Sequence, residues 1–326
     1  MSSTTAWTLA ASAFNWTPDI IRAERTTEDI IVGIVADGIA STVEIEPGQA
    51  FRGFPRSTDG ELDSLRAKLD AVGGSISMVG GSLDDATPHG ALLDDDARAA
   101  FLEPQLRAAH RVGARGLRLP FGQAGASLLR RMLPVLHELD LVLYEEIQGQ
   151  QTPDSPAVGA ALDIFEELDD DRLRVLVDCS MFMPSLPPSY LAVLRAGGVP
   201  EALVARLETQ WRSPETHAAV VDLLRSGGVP PHVHTLYMNL LVRFGRSDVS
   251  VIRPILDRVG AFHLKFWDLD DTDGRVSQPL RDLSRELGGF SGTLTSEWGG
   301  HEWLEHETAA DMTRRHLALA GAALRG

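Results

Sequence analysis

Short apolar runs trade places with amphipathic segments of helical spacing along nearly the whole chain, and this alternation limits the fold more than any other feature. An opening strand near 8–13 precedes a helix over 27–40, and TVEIE (42–46) precedes the charged helix GELDSLRAKLDAVG (60–73). SISMVG (75–80) leads to 94–113, GLRLPFG (116–122) to 126–140, LVLYEE (141–146) to 155–168, and LRVLVD (173–178) to a long helical region. AFHLKF (261–266) and GTLTSE (292–297) supply the seventh and eighth strands, and 308–324 the last helix. None of the central runs shows clean in–out alternation, as expected for parallel strands buried on both faces. The pattern predicts an α/β fold closed as a single (β/α)8 TIM barrel over 1–326, with a doubly wound sheet as competitor. The glycines of 73–81 and 122–127 fit neither the Walker nor the dinucleotide fingerprint and read as turns.

Between the sixth and seventh strands lies the departure from the pattern. Residues 179–260 are far more than one return helix needs, opening with the proline-rich MFMPSLPPSY (181–190) and continuing with helical patterns at 187–196, 200–211, 215–227 and 234–245. A helical insertion of this size serves as a lid, substrate wall or subunit contact, or pads the barrel exterior. His232 and His234, in PPHVH, are a weak metal signal and read as surface residues.

A chain of 326 residues with 44% hydrophobic content can bury a full core. No apolar run approaches the roughly 20 residues needed to cross a bilayer, and MSSTTAWTLAAS lacks the regions of a signal peptide, so a cytoplasmic location is expected. The single cysteine, Cys179, fits a reducing compartment and reads as a small buried residue, with a nucleophile as the alternative. A net charge of −16 argues against nucleic acid and anionic membrane as partners and points to a small molecule or another protein.

In a barrel of this kind the active site forms at the C-terminal strand ends. Four runs end in chemistry there: Glu146, Asp178, His263 and Glu297 offer three carboxylates and an imidazole, a ligand set for one divalent metal. Oxygen-rich donors without thiolate suit Mn²⁺, Mg²⁺ or Co²⁺ better than structural zinc and leave positions open for a bidentate oxygen substrate such as a sugar. A polarised carbonyl acidifies the neighbouring C–H, and either glutamate is a candidate base. Lys265, two residues after His263 and so on the same strand face, is placed to stabilise an oxyanion; a solvated or ion-paired lysine is the alternative.

This residue set resembles the xylose-isomerase-like TIM-barrel superfamily of sugar isomerases and epimerases, in which Glu, Asp, His and Glu from successive strand ends hold the metal. More narrowly, HLKFWDLDD (263–271) and GGFSGTLTSEWGGHEW (288–303), with EEIQGQ and the enlarged sixth connection, resemble the α-subunits of C-glycoside deglycosidases. The resemblance implies Glu146, Asp178, His263 and Glu297 as metal ligands, with Lys265 and His301 in the pocket. It favours Glu146 over the adjacent Glu145, because Glu146 aligns with the family's Glu-Ile pair. Some members carry a histidine two residues after that glutamate; here the position is Gln148, which hydrogen-bonds but accepts no proton at neutral pH. The base then falls to His301, Glu146, Glu297 or a partner chain.

The reaction the resemblance implies is on 3-oxo-C-glycosides: the metal acidifies the C2 proton, and the enolate expels the aromatic aglycone from C1 as the aglycone carbon is protonated. A small β-subunit is the implied partner. Trp298 and Trp303 are placed to stack on a sugar or flavonoid-like ring, or to serve as buried wall. Two other readings stand: a sugar isomerase, epimerase or related dehydratase using the same metal, and a non-catalytic sugar-binding or partner barrel. The last ranks lowest, because three carboxylates at one barrel mouth repel each other without a cation.

Overall fold

Eight parallel strands close on themselves in sequence order, β1 (Ala6–Ser12), β2 (Thr42–Ile45), β3 (Ser75–Gly80), β4 (Gly116–Pro120), β5 (Val142–Ile147), β6 (Leu173–Asp178), β7 (Val259–Phe266) and β8 (Ser291–Trp298), with β8 pairing back onto β1. The computed structural model describes residues 6–86 and 89–325; residues 1–5 of the N-terminal stretch, and the outermost positions of the 1–326 domain, lie outside them. The (β/α)8 barrel replaces the doubly wound competitor because β1 and β8 exchange hydrogen bonds and no sheet edge remains.

Local chemistry sets the helix boundaries. Thr58 caps the helix Asp59–Ala71 by accepting from the Glu61 amide, while the Glu61 carboxylate accepts from the Thr58 amide at 2.9 Å. Asp94 caps Asp95–Arg111 in the same way. The helices press Ile30, Ile34, Leu65, Leu102, Leu128, Leu136 and Phe165 onto the outer faces of the strands. Inside the barrel, Met78, Leu176 and Ala261 pack with Tyr144 as a separate apolar layer. The next inward position on each strand lies one layer nearer the C-terminal end, and there the side chains turn polar.

The insertion after β6 contains the helices Pro188–Ala196, Glu201–Thr209, Pro214–Arg225 and His234–Val242, close to the sequence expectation. It builds its own core from Tyr190, Leu194, Leu207, Trp211, Tyr237 and Phe244, into which Trp267, just past β7, is inserted. Three helices have no counterpart in the sequence reading: the short Thr17–Arg22 and Pro47–Ala50, and Ser277–Glu286 between β7 and β8. Ser277–Glu286 brings only Leu280 and Leu283 to the core from an otherwise polar segment after an Asp- and Gly-rich loop, so no apolar run marks it.

The insertion is clamped to the barrel at Gly149, in the loop after β5. Its φ is +58°, and a Cβ there would fall 2.0 Å from the Val242 carbonyl oxygen. Gly149→Ala is expected to destabilise the fold by about 2 kcal/mol or more. This is read as a lower urea midpoint at unchanged denaturant slope; an unchanged midpoint contradicts the clamp.

Candidate metal centre

The inward polar layer brings the four expected ligands together. Glu146, Asp178, His263 and Glu297 each present one donor atom, all within 4.8 Å of one another, and all four residues are buried. Register puts them there: Asp178 pairs with His263, and Lys265 with Glu297, across adjacent strand ends. Glu145 points the other way, accepting from the Gly122 amide at 2.8 Å, so strand alternation selects Glu146.

Each ligand is fixed by neighbours. Asp178 accepts from the Ser180 amide at 2.7 Å. Glu297 sits between two residues pinned by the buried Asn15, whose amide nitrogen donates to the Ser296 carbonyl (3.2 Å) and whose oxygen accepts from the Trp298 amide (2.7 Å). His263 is held at both ring nitrogens: Nε2 lies 2.9–3.0 Å from the Glu44 carboxylate, Nδ1 lies 2.9 Å from Glu146 Oε1. Glu44 thus orients the ring from behind, leaving Nδ1 to face the donor cluster.

The guanidinium of Arg118 binds the second rank of acids together. It donates to Glu44 at 3.1 Å, to Glu146 Oε2 at 2.8 Å, and to Glu46. Five carboxylates (Glu44, Glu46, Glu146, Asp178, Glu297) therefore face two permanent cations, Arg118 and Lys265. Burial pushes the Asp178 carboxyl up to about 7, with Glu297 and Glu146 adding to the push against Lys265. Burial acts against charge on Glu297 as well, but Lys265 and His263 outweigh it and hold its carboxyl well below the ordinary range.

The donor set fits a divalent cation. Glu297 Oε2 is buried and accepts no hydrogen bond, although it lies 2.7 Å from His263 Nδ1. One ring N–H cannot point at both Glu146 Oε1 and Glu297 Oε2, so the short contact counts as proximity and not as a bond. The four donor atoms lie within 4.8 Å of one another, close enough to share one divalent ion.

A cavity of about 400 Å³ opens over the cluster, lined by Phe14, Glu46, Arg118, Gln148, Arg243, Lys265 and Trp267 along with the ligands Glu146, Asp178 and Glu297. Lys265 Nζ donates to Glu297 Oε1 at 2.9 Å and lies 4.8 Å from the Phe14 ring centre. Trp298 is not among the residues lining the cavity: it is 1% exposed, and its indole N–H donates to the Trp267 carbonyl, so it is wall. Trp303 packs against Tyr190 and donates to Ser189, and Trp267 is the tryptophan at the cavity. His301 stands behind Phe14, ring centres 5.0 Å apart, and burial lowers its pKa to about 4. His232 and His234 are exposed on the insertion. Cys179 is buried, and burial together with Asp178 raises its thiol pKa, which removes the nucleophile reading.

Glu44, Glu46, Arg118 and Asn15 went unassigned in the sequence. The signal for two of them was present: Glu44 in β2 and Glu46 just past its end are two apart, so both point inward.

No family model matches the chain. The barrel fold is shared with solved structures: a D-psicose 3-epimerase with D-fructose superposes at a TM-score of 0.58 and 12% identity, covering 98% of this chain and 100% of that one. A xylose isomerase domain protein of Planctomyces limnophilus superposes at 0.51 and 16% identity, covering 99% and 97%. In sequence, the chain is similar to the C-glycoside deglycosidase alpha subunit of Arthrobacter globiformis, 27% identical over 324 residues, 95% of this chain and 90% of the relative. It is also 27% identical to the 3'-dehydrocarminate deglycosidase alpha subunit of a Microbacterium species, over 315 residues, 90% of this chain and 89% of that one. Among the described residues no helix is long and apolar enough to cross a membrane.

Asp178→Ala is expected to abolish stoichiometric divalent metal in the purified protein while leaving the fold intact, as read by elemental analysis and circular dichroism; undiminished metal sinks the ligand assignment. Glu44→Gln is expected to keep the site but weaken metal binding about 10–100-fold by calorimetry. Equal affinity contradicts the orienting role of Glu44.

Proposed function

We propose that this chain is the metal-bearing alpha subunit of a two-subunit lyase that breaks the carbon–carbon bond between C1 of a 3-oxo-C-glycoside and its aromatic aglycone. The observation that carries the reading is the joining of the four-donor cluster and Lys265 in one cavity to a sequence whose relatives, over nine-tenths or more of its length, are named deglycosidase alpha subunits. The partner is a small beta subunit, and the setting is the cytoplasm.

Glu146, Asp178, His263 and Glu297 hold the ion, Mn²⁺ on this reading, with Mg²⁺ or Co²⁺ as alternatives. When bound, such an ion polarises the 3-oxo group and acidifies the C2 proton. Lys265 stays protonated, because Glu297 and Asp178 outweigh the burial that opposes its charge, and it stabilises the oxygen on which negative charge develops. Gln148 faces the cavity and hydrogen-bonds the sugar without taking a proton. Trp267 and Phe14 offer apolar surface to the sugar or the aromatic ring. Because the bond broken is carbon–carbon, the two-carboxylate hydrolysis of ordinary glycosidases does not apply.

The test is incubation of the chain with Mn²⁺, its small partner and a 3-oxo-C-glucoside, followed for free aglycone. Release that a chelator abolishes and added Mn²⁺ restores is expected. Bound metal without release moves the assignment to a sugar isomerase or epimerase using the same ligands.

A further inference from the structure

The cavity holds one carboxylate that the donor cluster leaves over. Glu46 follows β2 and points to the same side as Glu44, but where Glu44 is consumed in orienting His263, Glu46 reaches the cavity with its side chain 25% exposed. Two contacts fix it. Arg118 Nη2 donates to its Oε1, through the same guanidinium that grips Glu146. Gly80, at the end of β3, keeps the space free: a Cβ there would fall 2.2 Å from Glu46 Oε2 and 2.6 Å from Oε1.

The titratable groups lining the cavity are Glu46, Arg118, Glu146, Asp178, Arg243, Lys265 and Glu297. Glu146, Asp178 and Glu297 are the metal donors. Arg118 and Arg243 are permanent cations, Arg243 paired with Glu302, and Lys265 is tied to Glu297 as an ammonium. Glu46 remains. Partial burial pushes its carboxyl up to about 7, with Glu44 and Glu297 adding to the push against Arg118. A base so tuned is matched to proton transfer near neutrality.

We infer that Glu46 is the general base of this site, taking the proton from the sugar carbon next to the carbonyl; this rests on the lyase reading above. The C2–H electron pair becomes the C1–C2 double bond, and the C1–aglycone pair leaves with the aglycone. The aglycone carbon takes the proton back from the Glu46 carboxylic acid, which ends as carboxylate. No oxidant or reductant is required.

The experiment compares wild type, Glu46→Gln and Gly80→Ala, each with the small partner and Mn²⁺. It measures Mn²⁺ affinity by calorimetry, affinity for a 3-oxo-C-glucoside, and the rate of aglycone release. Glu46→Gln is expected to keep both affinities within about threefold and to lose about 10²–10⁴-fold in kcat. Gly80→Ala, which displaces the carboxylate without removing it, is expected to fall between the two with Mn²⁺ binding unchanged. Release by Glu46→Gln within tenfold of wild type overturns the inference and leaves the lyase reading standing. Loss of Mn²⁺ affinity in Glu46→Gln also overturns it, by making Glu46 a support of the metal site. A wild type that binds Mn²⁺ and sugar but releases nothing overturns the lyase reading, and the inference with it.

Discussion

The guanidinium of Arg118, largely withdrawn from solvent, holds together what electrostatics would otherwise drive apart. Glutamates from two strand ends reach it, Glu44 on β2, Glu46 just after β2 and Glu146 on β5, and its planar fork donates to all three. Removing one partner of a buried charge pair typically costs about 3–5 kcal/mol, because the other charge is left without compensation. What Arg118 fixes then propagates. Glu44 holds His263 at Nε2, His263 turns Nδ1 toward Glu146 and Glu297, and Lys265 takes the other oxygen of Glu297. Closure of the barrel makes this possible, since every second residue of each strand points inward and the C-terminal layer brings distant strands within bonding distance.

The barrel was legible because its strands sit where sequence periodicity puts them, with SISMVG and LRVLVD matching β3 and β6 residue for residue. The four-donor cluster was legible because its three carboxylates, Glu146, Asp178 and Glu297, end apolar runs, and a charge placed there in a buried strand has little other purpose. Glu44 and Arg118 were harder to read because their roles come from partners far along the chain: Glu44 meets His263 across 219 positions and Arg118 across 74. Asn15 was invisible for the same reason, tying the loop after β1 to β8 and to the last helix. Of the two roles open to Trp298 and Trp303, their contacts favour wall: Trp298 is the last residue of β8, and alternation turns it to the face opposite Glu297. Trp298 turns into the wall beneath Trp267, while Gly300 leaves room for the Trp267 carbonyl, from which a Cβ would stand only 1.9 Å away.

The insertion after β6 is more than padding on the barrel exterior. It carries a second hydrophobic core, anchored to the barrel through Trp267, and brings Arg243 to the cavity. The wall of the site over β6 and β7 is therefore built from a different core than the donor cluster. That division separates the wall of the cavity from the donor cluster, which is packed within the barrel.

Anomalous diffraction from a crystal of the chain grown with Mn²⁺ tests the central claim most directly. The account predicts a single strong peak enclosed by Glu146, Asp178, His263 Nδ1 and Glu297, with Glu44 on the far side of the imidazole. A peak elsewhere, or none with Mn²⁺ in excess, contradicts it.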